Sequence, residues 1–253
     1  MNELITIAVD AMGGDNSPQK IIDGVEHHHK KSKNVFYKIF GNKNVIDPIL
    51  QKKNIDKNIF DVIHTEDKIE GEDSAFAAAK RGKNTSMWLA IESVKNNLSD
   101  IIISAGNTGA LLVIAKMNLS MIENIDKPAL SGLWPSKKGM SVVLDLGANI
   151  ECSDKNLIDF SIMGSSLLKS LYPEEKPKVA LLNIGSEEIK GNEVIKETYK
   201  KLNQIINEDF EFKGFIEGSN IMDGNVNVIV ADGFTGNIAL KTAEGTANFI
   251  SSE

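Results

Sequence analysis

Short runs rich in valine and isoleucine alternate along the chain with longer segments of helical periodicity. A strand followed by a helix and another strand builds a parallel sheet, because the helix returns the chain to the edge where the first strand began. We therefore predict an α/β fold with a mostly parallel sheet and helices on both faces. The predicted strands are residues 5–10, 35–40, 60–64, 100–104, 141–146, 179–185, 212–218 and 226–232; the predicted helices are residues 18–30, 85–97, 107–120, 154–171, 192–206 and 236–252. Ser17 is predicted to cap the first helix and Pro18 to begin it.

Composition argues against several classes of protein. The 253 residues include 28 basic and 35 acidic side chains, which give a formal net charge of -7. Nucleic-acid binding depends largely on neutralising phosphates, so we expect no nucleic-acid partner. Cys152 is the only cysteine, which excludes an internal disulfide and a multi-thiolate metal site and fits a reducing cytoplasm. The amino terminus lacks a secretory signal pattern, and the apolar runs are too short to cross a bilayer.

The loops that follow five of the predicted strands resemble one another. Ligands of parallel sheets bind beyond the carboxyl ends of the strands, where small residues let the backbone approach them. Backbone N–H groups, Thr and Asn side chains and helix amino termini are donors that hold a phosphate or an oxyanion. A glycine after one strand is often only a turn, but five such loops together predict a binding site for an anion. The five loops are residues 10–15, 104–109, 145–149, 183–186 and 232–237.

Arg81 is the only arginine among the 28 basic residues. Its planar guanidinium can hold two oxygens of a phosphate or carboxylate at once, which lysine does poorly. We therefore predict a binding role for Arg81, with chance survival on a surface helix as the alternative.

Asp10, Asp145 and Asp232 end predicted strands beside these glycines. Such carboxylates can orient lysines, accept a proton or hold a divalent cation, or they can cap the next helix. Lys190 and Lys241 are candidate counter-charges.

Seven motifs occur in order along the chain and together closely resemble the bacterial phosphate acyltransferase of phospholipid synthesis. They are VDAMGGDNSP (9–18), RGKNTSM (81–87), SAGNTGA (104–110), LDLGAN (144–149), LLNIGSEEIKGN (181–192), GFIEGSN (214–220) and ADGFTGNIALKTAEG (231–245). The resemblance implies a Rossmann-like α/β fold akin to isocitrate dehydrogenase and phosphotransacetylase. It also implies a cytoplasmic homodimer that works at the inner face of the membrane.

The same resemblance implies the reaction and its partners. A fatty acyl group would pass from acyl carrier protein to inorganic phosphate, and the acyl-phosphate would feed a membrane acyltransferase that acylates glycerol 3-phosphate. We expect neither a cofactor nor a metal ion. The predicted catalytic residues are Asp10, Arg81, Asn107, Asp145, Lys190, Asp232 and Asn237. The predicted phosphate- or substrate-binding residues are Gly13, Gly14, Ser86, Ser104, Gly106, Thr108, Asn149, Gly185 and Gly233.

The chemistry of this reaction agrees with the loops. A thiolate leaving group has an ordinary pKa of about 8.5, so no strong general acid is needed. We predict direct attack by phosphate without a covalent enzyme intermediate, and we interpret Cys152 as a small buried apolar residue. Because acyl carrier protein is acidic, its binding would need a local basic patch. The candidates are the pair Lys137 and Lys138 and the group Lys196, Lys200 and Lys201.

Members of this family normally continue through further helices, so we describe residues 1–253 as a single α/β domain lacking the usual carboxyl-terminal helices. That expectation leaves open a non-catalytic remnant or an interaction partner of the fatty-acid machinery. A less favoured alternative is a metal-dependent dehydrogenase of the isocitrate dehydrogenase type, with the three aspartates around a divalent ion. The sequence lacks the GxGxxG fingerprint that such a dinucleotide enzyme would carry.

Overall fold

A computed structural model describes residues 4–205 and 209–252, apart from the side chain of Arg81. The chain divides into two compact units, called unit 1 (Met1–Met121) and unit 2 (Ile122–Glu253). The organisation of residues 1–253 as one domain stays a prediction. No helix within the described ranges is both long enough and apolar enough to cross a membrane.

Unit 1 is built on a parallel sheet of four strands covered by helices on both faces. Its elements are β1 (Ile5–Asp10), α1 (Gln19–Lys31), β2 (Val35–Gly41), α2 (Lys43–Lys52), β3 (Phe60–His64), α3 (Ala75–Arg81), α4 (Ser86–Lys95), β4 (Ile101–Ser104) and α5 (Thr108–Leu119). The strand order is β3-β2-β1-β4. Because side chains alternate along a strand, Ile7 and Val9 pack with α1 and α2, whereas Ala8 packs with α4 on the opposite face.

Unit 2 contains a five-stranded mixed sheet. Its elements are β5 (Ser131–Ser136), β6 (Gly139–Leu144), α6 (Asp154–Leu171), β7 (Lys178–Asn183), α7 (Glu193–Gln204), β8 (Glu211–Glu217), β9 (Val228–Val230) and α8 (Gly233–Ser251). The strand order is β5-β6-β9-β7-β8, and only the edge strand β5 runs antiparallel to its neighbour. Val142 and Leu144 pack with α6, and Val143 lies in the cluster that includes Leu240 of α8. The predicted α/β class with helices on both sheet faces is confirmed.

Several local predictions were wrong. The first helix begins at Gln19, and Pro18 occupies the N-cap position without a side-chain hydrogen bond to the helix. Ser17 does not cap the helix, because its hydroxyl donates to the carbonyl oxygen of Met12. Strand β9 stops at Val230, since Asp232 already caps α8 and Gly233 begins it. The sequence analysis also missed β5, α2 and α3.

Two carboxylates of α1 form ion pairs with Lys53 in unit 1. The Lys53 ammonium lies 2.8 Å from a carboxylate oxygen of Asp23 and 2.5 Å from one of Glu26, which also lies 2.6 Å from the Lys30 ammonium. The hydrogen bonds from Lys30 and then Lys53 lower the pKa of Glu26 to about 2. The cluster therefore links α1 to the residue that follows α2.

Glycines allow α8 to begin against the loop that follows β6. A Cβ on Gly236 would overlap the carbonyl oxygen of Asp145, and one on Gly233 would lie 2.6 Å from the carbonyl oxygen of Asn149. By contrast, a Cβ on Gly245, in the same helix, would meet nothing within 4 Å. The first turn of α8 thus requires glycine for packing, and the later glycine does not serve this purpose.

Glu26→Gln should lose stability in a pH-dependent manner. The pKa of Glu26 is lowered from 4.5 to about 2, so its contribution to the free energy of unfolding is present above pH 4.5 and is lost as pH falls toward 2. Wild type should be more stable than the variant at pH 6, and the difference should shrink at lower pH, as measured by urea denaturation. Glu66→Gln, which removes an exposed carboxylate of the same unit, is the control. Identical pH dependence of the two variants would contradict this contribution.

Gly236→Ala and Gly245→Ala should have opposite effects on the stability of unit 2. Overpacking at Gly236 should lower the free energy of unfolding by roughly 1–3 kcal/mol. Alanine at the open helical position 245 should raise it by roughly 0.5–1 kcal/mol, because glycine loses more backbone entropy on folding. Urea denaturation of the whole chain measures both changes. A destabilised Gly245→Ala chain, or an unaffected Gly236→Ala chain, would refute this description of α8.

Candidate active site

One buried carboxylate joins three segments of unit 1. Asp10 ends β1 and is only 1% exposed. It accepts hydrogen bonds from the hydroxyl of Ser86 at 2.6 Å and from that of Ser104 at 2.7 Å. Ser86 begins α4 and Ser104 ends β4, while the N–H of Met12 approaches the same carboxylate at 3.3 Å. The Asp10 carboxylate therefore fixes the loop after β1 relative to β4 and α4.

Glycines bring the loops after β1 and β4 into direct contact. A Cβ on Gly13 would lie 2.6 Å from the Asp10 carboxylate and 2.8 Å from the backbone nitrogen of Gly106. Gly14 has a φ of +88°, which side chains rarely adopt, and a Cβ there would lie 2.5 Å from the carbonyl oxygen of Ala105. Both predicted glycines thus permit backbone-to-backbone packing beside Asp10.

Asn107 ties a further loop to this rim. Its side-chain oxygen accepts from the N–H of Ala110 at 2.9 Å and so caps α5. Its amide nitrogen donates to the carbonyl oxygens of Gly71 at 2.9 Å and Asp73 at 2.8 Å. The loop that follows β3 therefore lies beside the amino terminus of α5.

These loops enclose a cavity of about 540 Å³ in unit 1, called the rim cavity. The first N–H groups of α5 have no partner within the helix and carry the positive end of its dipole, so they favour an anion. The cavity also contains Lys68, an exposed cation 3.0 Å from Glu70. Lys68 was not among the predicted residues, although its position after the carboxyl end of β3 was a usable signal. The lining residues are Met12, Gly14, Asp15, Lys68, Ile69, Glu70, Gly71, Ala105, Gly106, Asn107, Thr108 and Gly109.

Unit 2 contains a second buried carboxylate, Asp145, which follows β6 and is fully buried. It accepts five hydrogen bonds from N–H groups, whereas Asp10 accepts from two hydroxyls. The donors are the backbone nitrogens of Leu130 (3.1 Å), Gly147 (3.1 Å), Ala148 (2.9 Å) and Asn149 (2.8 Å) and the side-chain nitrogen of Asn149 (2.8 Å). Asp145 therefore determines the conformation of the loop that follows it.

The start of α8 is joined to this loop. The N–H of Gly233 donates to the carbonyl oxygen of Asn149 at 2.8 Å, and the Asn237 amide donates to the carbonyl oxygen of Leu146 at 3.1 Å. Asp232 caps α8, and its two oxygens accept from the N–H and the hydroxyl of Thr235, each at 2.8 Å. Four predicted residues, Asn149, Asp232, Gly233 and Asn237, are thus collected around the Asp145 loop.

The remaining predicted residues are Gly185, Lys190 and Arg81. Gly185 and Lys190 belong to the loop after β7, where the Asn183 amide donates to both of their carbonyl oxygens at 3.2 Å. Lys190 is exposed. Arg81 ends α3, and its side chain lies outside the described residues, so its predicted contact with an anion stays a prediction.

The structure gives the protonation of the Cys152 thiol and the arrangement of groups that could bind a metal ion. Burial raises the pKa of the Cys152 thiol, so the thiol is protonated near neutral pH and is a poor nucleophile. Within residues 4–205 and 209–252, no group of three or more His, Cys, Asp or Glu side chains is arranged to hold a metal ion. The residues around Asp10 in unit 1 adjoin a cavity suited to an anion. The residues around Asp145 in unit 2 form a loop held by many hydrogen bonds.

Comparison with known proteins identifies the family. A family model described as "Fatty acid synthesis protein" matches residues 5–252. A phosphate acyltransferase of Pelagibacter ubique is 72% identical over 253 residues, which are all of this chain and 75% of that protein. One from Paramagnetospirillum magneticum is 41% identical over 251 residues, covering 99% of this chain and 71% of that one.

A solved structure agrees in fold. The EutD phosphotransacetylase from Staphylococcus aureus superposes with a TM-score of 0.69 at 16% identity, over 96% of this chain and 82% of that one. At this identity the likeness supports the fold alone, and the family assignment rests on the sequence relatives. The chain belongs to the phosphate acyltransferase family and is an acyltransferase enzyme of fatty-acid and phospholipid synthesis.

Proposed function

We propose that this enzyme transfers a fatty acyl group from acyl carrier protein to inorganic phosphate and releases an acyl-phosphate. The product would serve a membrane acyltransferase that acylates glycerol 3-phosphate, and the enzyme would act as a homodimer at the inner face of the membrane. The rim cavity of unit 1 is the observation that carries this proposal. Family membership supports the acyl transfer itself.

Inorganic phosphate fits the rim cavity by donor type, although the carboxylates of Asp15 and Glu70 also line it. Lys68 supplies a cation, and the amino terminus of α5 supplies backbone N–H donors and a favourable dipole. The exposed hydroxyl-bearing Thr108 begins that helix. Arg81, at the end of α3, is proposed to add a planar pair of donors. We therefore assign phosphate binding to Lys68, Arg81, Thr108 and the backbone of residues 106–109.

The three aspartates are better suited to positioning than to proton transfer. Asp10 is occupied by two hydroxyls, Asp145 by five N–H groups and Asp232 by its helix cap. Phosphate is already ionised near neutral pH, so its attacking oxygen needs no protein base. Ser86 is 1% exposed, which gives its hydroxyl a supporting role beside Asp10. We infer that Asp10 and Asp145 preserve the geometry of the loops during reaction.

The proposed step is a direct displacement. A phosphate oxygen forms a bond to the thioester carbonyl carbon, the carbon–sulfur bond breaks, and the thiolate leaves with the electron pair and is then protonated by water. Backbone donors would stabilise the charge that develops on the carbonyl oxygen. The protonated state of Cys152, which burial favours, argues against an acyl-cysteine intermediate.

Four of the five lysines predicted to bind acyl carrier protein lie beside carboxylates. Among the candidate lysines, Lys137 lies 2.8 Å from Asp223 and Lys201 lies 2.5 Å from Asp154. Lys196 and Lys200 also approach carboxylates, at 3.3 Å from Glu193 and 4.0 Å from Glu197. These ion pairs reduce the positive charge that either group can offer to an acidic partner.

Arg81→Lys should lower kcat/KM for phosphate by roughly 10- to 100-fold, since an ionic hydrogen bond contributes about 1.5–3 kcal/mol. Acyl-phosphate formed from dodecanoyl-acyl carrier protein is trapped with hydroxylamine and quantified, and circular dichroism verifies that the variant is folded. A fully active variant would remove Arg81 from the phosphate site. The absence of phosphate-dependent product from folded wild-type chain would overturn the proposed reaction.

Lys68→Met should raise KM for phosphate by about tenfold, the effect of losing roughly 1.4 kcal/mol of charge interaction, with a smaller change in kcat. Steady-state rates over a range of phosphate concentrations separate the two parameters. Lys31→Met is the matched control, because Lys31 is an exposed lysine of the same unit at the end of α1 and does not line the rim cavity. Equal KM values for the two variants would exclude Lys68 from the site.

A further inference from the structure

Unit 2 contains a separate cavity of about 470 Å³ at the amino-terminal ends of α7 and α8, called the apolar cavity. Its volume lies within the range of roughly 300–1,000 Å³ typical of small-molecule sites. Apolar side chains form most of its wall. The lining residues are Ile150, Glu151, Cys152, Leu157, Asn192, Val194, Ile195, Asp232, Phe234 and Thr235.

The apolar wall has an inner and an outer part. Leu157 and Ile195 are 1% and 6% exposed and belong to the core of unit 2. Ile150 and Phe234 are 73% and 58% exposed and so present large apolar surfaces to solvent at the same cavity. Exposed apolar surface around a concave site is typical of a binding site for an apolar ligand.

Two polar side chains of this cavity, Asn192 and Asp232, already accept hydrogen bonds that cap helices. The Asn192 side chain accepts from the N–H of Ile195 at 2.9 Å and thereby caps α7. Both oxygens of Asp232 accept from Thr235, each at 2.8 Å. A ligand would therefore be held mainly through contact with apolar side chains, and hydrogen bonds would contribute little.

Charge further narrows the class of ligand. Two carboxylates, Glu151 and Asp232, line the cavity, and none of its described lining residues is Lys, Arg or His. A phosphate or a free carboxylate placed there would meet like charge. Cys152 adds no negative charge, because burial raises the pKa of its thiol. The helix amino termini at this cavity are capped by the Asn192 and Asp232 side chains, and no described lining residue is a cation, so the apolar wall favours an uncharged hydrocarbon.

We propose that the apolar cavity binds the hydrocarbon chain of the acyl donor and so selects for chain length. This inference rests on the proposed function, since it assigns a place to the acyl group of the same reaction. Phe234 and Ile150 would cover the chain where it enters, and Leu157, Val194 and Ile195 would contact its inner part. Longer chains bind more tightly until the cavity is full, by up to about fourfold for each fully buried methylene.

Cys152 supplies a probe of the cavity that does not depend on enzymatic activity. It is the only cysteine and lines the cavity, so maleimides modify the chain at that position alone. After correction for reactivity with glutathione, N-hexylmaleimide should modify Cys152 at least about tenfold faster than N-ethylmaleimide, because its four additional methylenes are buried on binding. Equal corrected rates would overturn the proposal.

A variant pair links that preference to the cavity. Phe234→Ala removes an exposed side chain from the cavity mouth and should reduce the hexyl-to-ethyl rate ratio by at least about threefold. Phe249→Ala is the matched control, because Phe249 lies on the same helix, is 66% exposed and does not line the cavity. An unchanged ratio in Phe234→Ala, or an equal reduction in both variants, would contradict the proposed site.

The natural donor completes the test. Dodecanoyl-acyl carrier protein should protect Cys152 from N-ethylmaleimide more strongly than butanoyl-acyl carrier protein, and the unacylated protein should protect least. Protection that is independent of acyl length would overturn the proposal even if hydroxylamine trapping showed normal acyl-phosphate formation. Length-dependent protection without acyl-phosphate formation would support the cavity and reject the proposed reaction, so the two failures are distinguishable.

Discussion

The arrangement of the loops at the candidate site depends on burying a carboxylate at the end of a strand. Removing a carboxylate from water is costly unless hydrogen bonds replace its hydration. Asp10 obtains these bonds from the hydroxyls of Ser86 and Ser104, and Asp145 obtains them from the turn that follows it and from Leu130. Asp10 thus holds together segments that are distant in sequence, and Asp145 holds the turn that follows it. A looser loop would leave the buried carboxylate without the hydrogen bonds that replace its hydration.

This constraint explains why glycine is needed where it occurs. Segments drawn toward a buried carboxylate approach one another closely, so Gly13 lies against Gly106 and Gly236 lies against the carbonyl of Asp145. Alanine at these positions would separate the segments and weaken the hydrogen bonds to the carboxylate. The same rigidity suits catalysis, because donors that are already oriented need not reorganise as charge develops in the transition state. In each unit, therefore, the glycines and the buried aspartate together hold the loops in place.

Sequence patterns predicted the regular framework better than the contacts within it. The bounds of β1 and α6 were predicted correctly, because apolar periodicity is a property of the residues themselves. Strand β5 was missed because Gly132 and Pro135 weaken its own signal, and its pairing with β6 supplies what its sequence lacks. The partners of Asp10 lie 76 and 94 residues away along the chain, a separation that no local pattern encodes. The position of Lys68 after β3 was a usable signal, but its entry into the rim cavity depends on the loop that Asn107 holds by long-range hydrogen bonds.

The two cavities are similar in volume, about 540 and 470 Å³, so size does not determine which part of a substrate each one suits. Their walls do. The rim cavity is lined largely by glycine and polar groups, which offer a hydrocarbon little apolar area. It has two carboxylates, Asp15 and Glu70, but also the cation of Lys68 and the amino terminus of α5, which favour an anion. The apolar cavity also has two carboxylates, but none of its described lining residues is a cation, and Leu157, Val194 and Phe234 offer apolar contact. The proposed acyl-phosphate product has an anionic head and a hydrocarbon chain, and each cavity suits one of these two chemistries.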